Sequence, residues 1–234
     1  MTIQEKIFLL ESIQTGEYPV GVTAQILAGI IVDNQLIGRS PRQGSLFLTV
    51  GHTFLHVAAM KGHLPNGTRA RDLINAVGPS GYSALHDAVL MGFLPNDTTV
   101  VDLINAKMHN GFSALHYVPC AKKYFQGVTV EDLRNTRDDQ GCSALHVSAR
   151  VGNFLMGTTM HDLLDCKDNG GKSAYEQFTK ESDFEKIEPV MNATQAASMA
   201  DIKKIGKILM SRNPAAVAMW MAREMDRLKL LSRS

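Results

Sequence analysis

The sequence predicts an all-α chain of short helix pairs stacked in register, closed at its C-terminal end by a helical cap. Three observations carry this reading. Glycine recurs at Gly51, Gly81, Gly111, Gly141 and Gly171, thirty residues apart each time. A second landmark keeps the same register: Asp72-Leu73, Asp102-Leu103, Asp132-Leu133 and Asp162-Leu163 each fall twenty-one residues after a glycine. Beyond about residue 183 the register stops and longer helical stripes begin. Self-similarity at one fixed period marks stacked supersecondary units, none of which can bury its apolar face alone.

Each module has a physical reading. The glycine supplies a turn residue that tolerates positive φ. The Thr or Ser two positions on is a helix N-cap, its hydroxyl satisfying an orphan backbone N–H. A helix of about eight residues follows, such as Ala84-Leu85-His86-Asp87-Ala88-Val89-Leu90-Met91, and Gly62, Gly92 and Gly152 end these helices at C′. A loop with Leu64-Pro65 or Leu94-Pro95 comes next. Then Thr99-x-x-Asp102 reads as a capping box with Asp in place of Glu, opening a second short helix.

The segment Gly-x-Thr-x-Leu-His-x-Ala-Ala-x-x-Gly-His, at Gly51 to His63, resembles the ankyrin-repeat family. Asn105-Ala106-Lys107 leading into Gly111 resembles that family's turn. The resemblance covers residues 51–182 and, more faintly, 8–34. There Gly16, Pro19, Gly21 and Thr23 take the spacing of Gly92, Pro95, Asp97 and Thr99, and read as an N-terminal half-repeat. The period is thirty residues rather than the family's 33. The shortening falls after the second helix, so the projecting hairpins of the family reduce to tight turns. The pattern is similar to a compact variant known mainly from bacterial proteins. By this resemblance, His56, His86, His116 and His146 are structural: they bond to the neighbouring Thr or Ser hydroxyl and to turn backbone between repeats.

The organisation follows: residues 1–50 hold the half-repeat and an insertion loop, 51–182 the repeats, and 183–234 a C-terminal helical region. The loop includes Gly38-Arg39-Ser40-Pro41-Arg42-Gln43-Gly44, an exposed-loop composition. In the C-terminal region Asn213-Pro214 is an N-cap followed by Pro at the first helical position, and Val217, Met221, Met225 and Leu228 form a stripe beside Trp220. Residues 201–234 carry eight cations (Lys203, Lys204, Lys207, Arg212, Arg223, Arg227, Lys229, Arg233) against Asp201, Glu224 and Asp226. They read as an end cap whose charges face water, with a basic amphipathic binding surface as the alternative.

One module breaks its own pattern. Pro119 sits where Ala59 and Ala149 sit in sister modules, and Lys122 replaces the terminating glycine, next to Lys123 and Tyr124. Proline within a helix costs about 3 kcal/mol. The break reads either as a contact site or as a kinked helix without a role.

Composition bounds the function. The 234 residues are 44% hydrophobic, enough for a continuous core, and the net charge of +1 offers no strong field to nucleic acid or an anionic membrane. Cys120, Cys142 and Cys166 lack paired spacing and fit reduced thiols in a cytoplasmic setting. The opening residues do not read as a secretory signal, and the longest apolar run, Ile26 to Val32, is too short for a span of about 20 residues. No metal is expected: a histidine column at a helix spacing of about 8–10 Å cannot converge on one zinc ion. No cofactor is expected either, because phosphate-cradling, dinucleotide and zinc-protease motifs are absent. The expected role is a non-enzymatic protein–protein interaction scaffold, by family analogy one delivered by a bacterium into a host cell. The alternative is binding of an anionic surface or nucleic acid through the C-terminal helices. Partner contacts are assigned to Asp87, Tyr117, Lys122, Lys123, Tyr124 and Arg150, positions that vary while the frame stays fixed.

Overall fold

The structure, a computed structural model, describes residues 1–39, 49–121, 125–177, 184–210 and 213–232. It is mostly helical. Among the described residues there is no strand, and extended backbone is limited to isolated bridges. No helix there is long and apolar enough to cross a membrane. The chain divides into two compact units, residues 1–128 with 135–139, and residues 129–134 with 140–234. The division falls between residues of the repeating sequence segment. One reason is local: the Asp139 N–H donates to the Asn110 carbonyl (3.0 Å), which ties that turn to the first unit.

The first unit begins with α1 (Ile3–Thr15) and α2 (Ala24–Ala28), followed by α3 (Asn34–Arg39). α1 and α2 form a whole helix pair that packs on α4 (Phe54–Lys61), and α2 also packs on α5 (Ala70–Asn75). The Phe54 N–H reaches the Ile30 carbonyl at 2.8 Å. The same bond recurs from Ala84 to Ala76 and from Ala114 to Ala106, both 2.9 Å, so Ile30 holds a true repeat position. A second pair, α4 and α5, packs against α6 (Ala84–Met91); α7 (Val100–Asn105) and a 3₁₀ turn, Ala114–Cys120, complete the row. The 3₁₀ turn replaces an α-helix because Pro119 has no N–H to give. Ala121, in extended backbone, closes it where sister helices end on a left-handed glycine.

The second unit contains α8 (Val130–Asn135, save its last residue), α9 (Ala144–Val151) and α10 (Met160–Asp165). A 3₁₀ turn at Ala174–Gln177 packs on α9 and α10; α11 (Phe184–Ala193), α12 (Met199–Leu209) and α13 (Pro214–Leu231) follow, with α12 packed on α13. Three side-chain contacts tie these last helices to α9 and α10. Thr194 Oγ1 accepts the Met160 N–H at 2.7 Å, His161 Nε2 meets Asp201 Oδ2 at 2.7 Å, and the Lys186 stem lies over Gly152. The Thr194 bond has a counterpart in the first unit, where Asp97 Oδ1 accepts the Ala70 N–H at 3.0 Å. Within the C-terminal region Glu224, almost fully buried, accepts the Ala196 N–H (3.0 Å) and pairs with Arg227 (2.8 Å).

One leucine per helix builds the core. Leu55, Leu85, Leu115 and Leu145 of the first helices, and Leu73, Leu103, Leu133 and Leu163 of the second, are fully buried. Each such side chain contributes about 1.5–3 kcal/mol. The second helices open as the sequence predicts: Thr99 and Asp102 exchange bonds at 2.8 and 3.2 Å, and Thr129–Asp132 and Thr159–Asp162 repeat the geometry. The loop gained between the helices closes on itself, with the Thr68, Thr98 and Thr158 hydroxyls donating to carbonyls three residues back.

The turns are tight. Each closes on a single bridge, such as Val77 with Ser83 and Lys107 with Ser113. Gly111 shows why glycine leads the module. Its φ is +77°, and a Cβ there would lie 2.9 Å from the Asp139 backbone nitrogen as well as against that residue's side chain. Gly141 meets Asn169 in the same way. Gly111→Ala therefore combines left-handed strain with a backbone clash. It should lower unfolding free energy by about 1–3 kcal/mol in urea titrations, whereas Gly127→Ala, with open space around it despite its φ of +91°, should cost only the strain.

Candidate functional site

The site grows out of the helix caps. In each module the Thr or Ser cap is met by the histidine three residues on, which fills the place a Glu takes in an ordinary capping box. The Thr53, Ser83, Ser113 and Ser143 N–H groups donate to Nδ1 of His56, His86, His116 and His146 at 3.0–3.1 Å. A backbone N–H can only donate, so Nδ1 must be bare and the ring proton must sit on Nε2. That proton has its own use: His56 Nε2 lies 3.2 Å from the Tyr82 carbonyl and His146 Nε2 3.3 Å from the Lys172 carbonyl, each in the following turn. All four rings accept from their own cap at Nδ1, and His56 and His146 also offer Nε2–H to the following turn. All four are fully buried. Burial pushes His56 and His86 down to about 4, so both are neutral at physiological pH.

The fifth module tests the logic. Its histidine position is Glu176, whose carboxylate accepts the Ser173 hydroxyl at 2.9 Å and the Ser173 N–H. Glu176 is exposed, and its bonds to Ser173 hold it below the usual glutamate range. A charge is tolerated at that exposed position and excluded from the buried ones.

On these caps stands a run of stacked rings in the first unit. His52 stacks on His56 (4.5 Å between centroids) and on Tyr82 (5.4 Å, planes 4° apart). Tyr82 stacks on His86 at 4.9 Å, and Tyr117 meets Tyr82, His86 and Phe112 edge-on at 5.4–5.9 Å. Such pairs add about 0.5–1.5 kcal/mol each beyond their buried area. His52, Tyr82, Phe112 and Tyr117 are half-buried, each keeping part of its surface in solvent.

The predicted contact residues fare unevenly. Asp87 is corrected: it is 5% exposed and its Oδ1 accepts the Tyr82 hydroxyl at 2.9 Å, so it is an interior strut and not a surface contact. The helix turns that position toward the stack, which a comparison of variable positions cannot reveal. Tyr117 is in the stack. Arg150, in the second unit, is exposed, with a guanidinium nitrogen 3.9 Å from the Cys142 sulfur. Lys122, Lys123 and Tyr124 lie outside the described residues, as do residues 40–44 of the insertion loop. The sequence reading missed His52, Tyr82 and Phe112, the residues directly after the module glycines. Their shared aromatic character at a thirty-residue spacing was the available signal. The three cysteines are unbridged thiols. No family model matches the chain, and no curated protein matches it.

His56 and His86 set an acid limit. Their folded values, about 4, lie below the 6.5 of a free imidazole. Their contribution is complete above pH 6.5 and is lost as pH falls toward 4, because the unfolded chain takes up the protons first. Each adds a slope of about 1.4 kcal/mol per pH unit. Urea titrations at stepped pH should show this loss. His56→Gln, which keeps an acceptor and a donor without titrating, should be shallower, and His56→Glu should be less stable than His56→Gln at pH 7.

Proposed function

We propose that this chain is an ankyrin-like helical-repeat solenoid with a C-terminal helical cap, and that it serves as a non-enzymatic scaffold holding another protein. The observation that carries the binding role is the half-exposed ring stack of His52, Tyr82, Phe112 and Tyr117, set on a frame of fixed caps and buried leucines. Rigid aromatic side chains that are already partly packed lose little freedom on binding, and aromatics are enriched at interface centres. The tight turns leave no projecting fingers, which favours the helix and ring face as the recognition surface. Recurring glycine turns, histidine caps and paired helices support the repeat assignment.

The contacts of Thr194, Asp201 and Lys186 with α10, its N-terminus and Gly152 support reading the last helices as a cap. Arg223 and Arg227 are engaged with Glu224, and Lys229 with Asp226. Lys203, Lys204 and Lys207 are exposed on α12 and are what supports the alternative of an anionic surface or nucleic-acid ligand. That alternative requires binding that collapses between about 50 and 200 mM salt. A cytoplasmic location, with delivery into a host cell, belongs to the same reading by family analogy.

The scaffold reading is tested by affinity capture with quantitative mass spectrometry, comparing the native chain with Tyr117→Ala and with Tyr117→Ala/Tyr124→Ala. Thermal melts should establish that each variant is folded. The partner is the protein whose recovery falls at least tenfold with the variants. Equal recovery of every captured protein by folded variants rejects this face.

A further inference from the structure

In the second unit α13 turns an apolar side to solvent. Its first nine residues, Pro214 to Ala222, include no polar side chain. Val217 and Trp220 are buried there, while Pro214, Ala215, Ala218, Met219 and Ala222 are exposed, Met219 to 76%. A helix bordering water carries polar residues on that side, as α13 does further on with Arg223, Asp226 and Lys229. The other flanks of α13 are already used. Met221 lies against Gly206 of α12, the Trp220 Nε1–H donates to the Thr194 carbonyl just after α11 (3.4 Å), and Arg223 reaches Asn192 of α11. Those contacts leave over a face centred on Met219.

Beside that face lies a groove of about 350 Å³ between α11 and α13. Met191 and Trp220, both nearly fully buried, line it together with Ala216 and Met219. Glu188 of α11 and Arg223 of α13 bring opposite charges to the same groove. They do not pair with each other. Glu188 is exposed and has no ion-pair partner among the described residues. Arg223 is held by Glu224 and by the side chain and carbonyl of Asn192, all at 3.4 Å, with half of its side chain still exposed. Contacts of that length orient the guanidinium fork and leave it able to take a carboxylate. One small area therefore holds a protruding side chain, a hole next to it, an unpaired anion and a half-free cation.

We propose that the Met219 face of α13 and the groove beside it form a two-fold contact between two copies of this chain. A two-fold contact sets one patch against itself, so every feature must find its complement within that patch. Each one does. Met219 of one copy enters the groove of the other against the Trp220 ring, since methionine fills irregular gaps and its sulfur packs well on aromatic edges. Glu188 gains the cation it lacks from Arg223 of the partner subunit, and the exchange is made twice, once on each side of the axis. Alanine at 215, 218 and 222 lets the two helices approach to the short end of the packing range of about 8–10 Å. A foreign apolar helix would need the groove alone. It would not need α13 to carry a protruding side chain and both signs of charge as well. The patch is small, so the dimer is a weak one, of micromolar affinity. No residue of the ring stack takes part, and the contact does not depend on what that stack binds.

The test is sedimentation velocity on the full chain from about 1 to 200 µM, the range in which small interfaces associate. The native chain should show a monomer–dimer equilibrium. Met219→Arg and Glu188→Lys alter exposed residues, so both should melt like the native chain. Met219→Arg should be monomeric throughout, and Glu188→Lys and Arg223→Glu should each associate at least tenfold more weakly. An equimolar mixture of Glu188→Lys with Arg223→Glu should dimerise to within about threefold of the native chain, because each copy then supplies the charge that the other needs. Tyr117→Ala should dimerise as the native chain does. A native chain that stays monomeric at the highest concentration overturns the proposal and leaves the face to a different protein. So does a dimer that survives Met219→Arg, one that Tyr117→Ala abolishes, or a loss in Glu188→Lys that folded Arg223→Glu does not repair. Should Arg223→Glu not fold, having lost its bonds to Asn192, the outcome rests on Met219→Arg and Glu188→Lys, and association undiminished in either one overturns the proposal.

Discussion

The histidine that caps its own helix and reaches into the next turn is the interaction on which the rest depends. A helix of eight residues is too short to stand alone, and its first N–H groups need acceptors wherever it is buried. Glutamate would satisfy them at the expense of a buried charge. Neutral imidazole satisfies them without one and still has an N–H to offer outward. The N–H of the cap residue fixes the tautomer, the tautomer fixes the donor, and in the cases of His56 and His146 the donor meets the carbonyl of the following turn. Local helix capping and contact with the following turn are thereby joined through one imidazole ring, one on each nitrogen. Glu176, exposed in the fifth module, shows the charged version at a position where burial no longer forbids it.

A fixed frame leaves the residue after each glycine free to vary, and in the first unit that freedom is used for rings. His52, Tyr82 and Phe112 lie beside the buried histidines and not in the leucine core, so they add stacking while keeping an edge in solvent. The irregular third module contributes to the same face. Pro119 prevents the α-helix, and the resulting 3₁₀ turn presents Tyr117 edge-on to Tyr82, His86 and Phe112. The break in the pattern is thus absorbed by the stack, and it carries no visible penalty in the burial of Leu115 or Val118.

The N-terminal and C-terminal segments pack on their neighbours with different chemistry. At the N-terminus a complete helix pair lies on α4, with His63 Nδ1 at the Ile13 carbonyl (2.8 Å) and the Tyr18 hydroxyl on the His63 carbonyl. At the C-terminus Thr194 takes the capping duty that Asp97 performs in the first unit, and the stem of Lys186 covers Gly152 as the Phe93 ring covers Gly62. The buried Glu224 holds the chain at Ala196 through that residue's N–H, while Arg227 bonds both Glu224 and the Ala196 carbonyl. Burial opposes the charge on Glu224, and the N–H and two guanidinium groups outweigh it, leaving its pKa below the usual glutamate value. Cations that look like an external basic surface in the sequence are in part the counter-charges of this joint.

The sequence by itself determined what is local and periodic. Glycine turns, Thr/Ser caps, Thr-x-x-Asp starts and leucine positions are set by short-range sterics and hydrogen bonding, and repetition at thirty residues made each of them readable several times over. The all-α class and the helix ends at Gly62, Gly92 and Gly152 follow from those signals alone. Tertiary structure decided what depends on residues far apart in the chain. It turned Asp87 inward, because a helix that is packed on both sides buries positions that merely vary in sequence. It made a full pair of the N-terminal segment, because α2 is too short to announce itself without the module it packs against. It also gathered His52, Tyr82, Phe112 and Tyr117 into one stack, since ring contacts between turns thirty residues apart exist only once the modules are side by side.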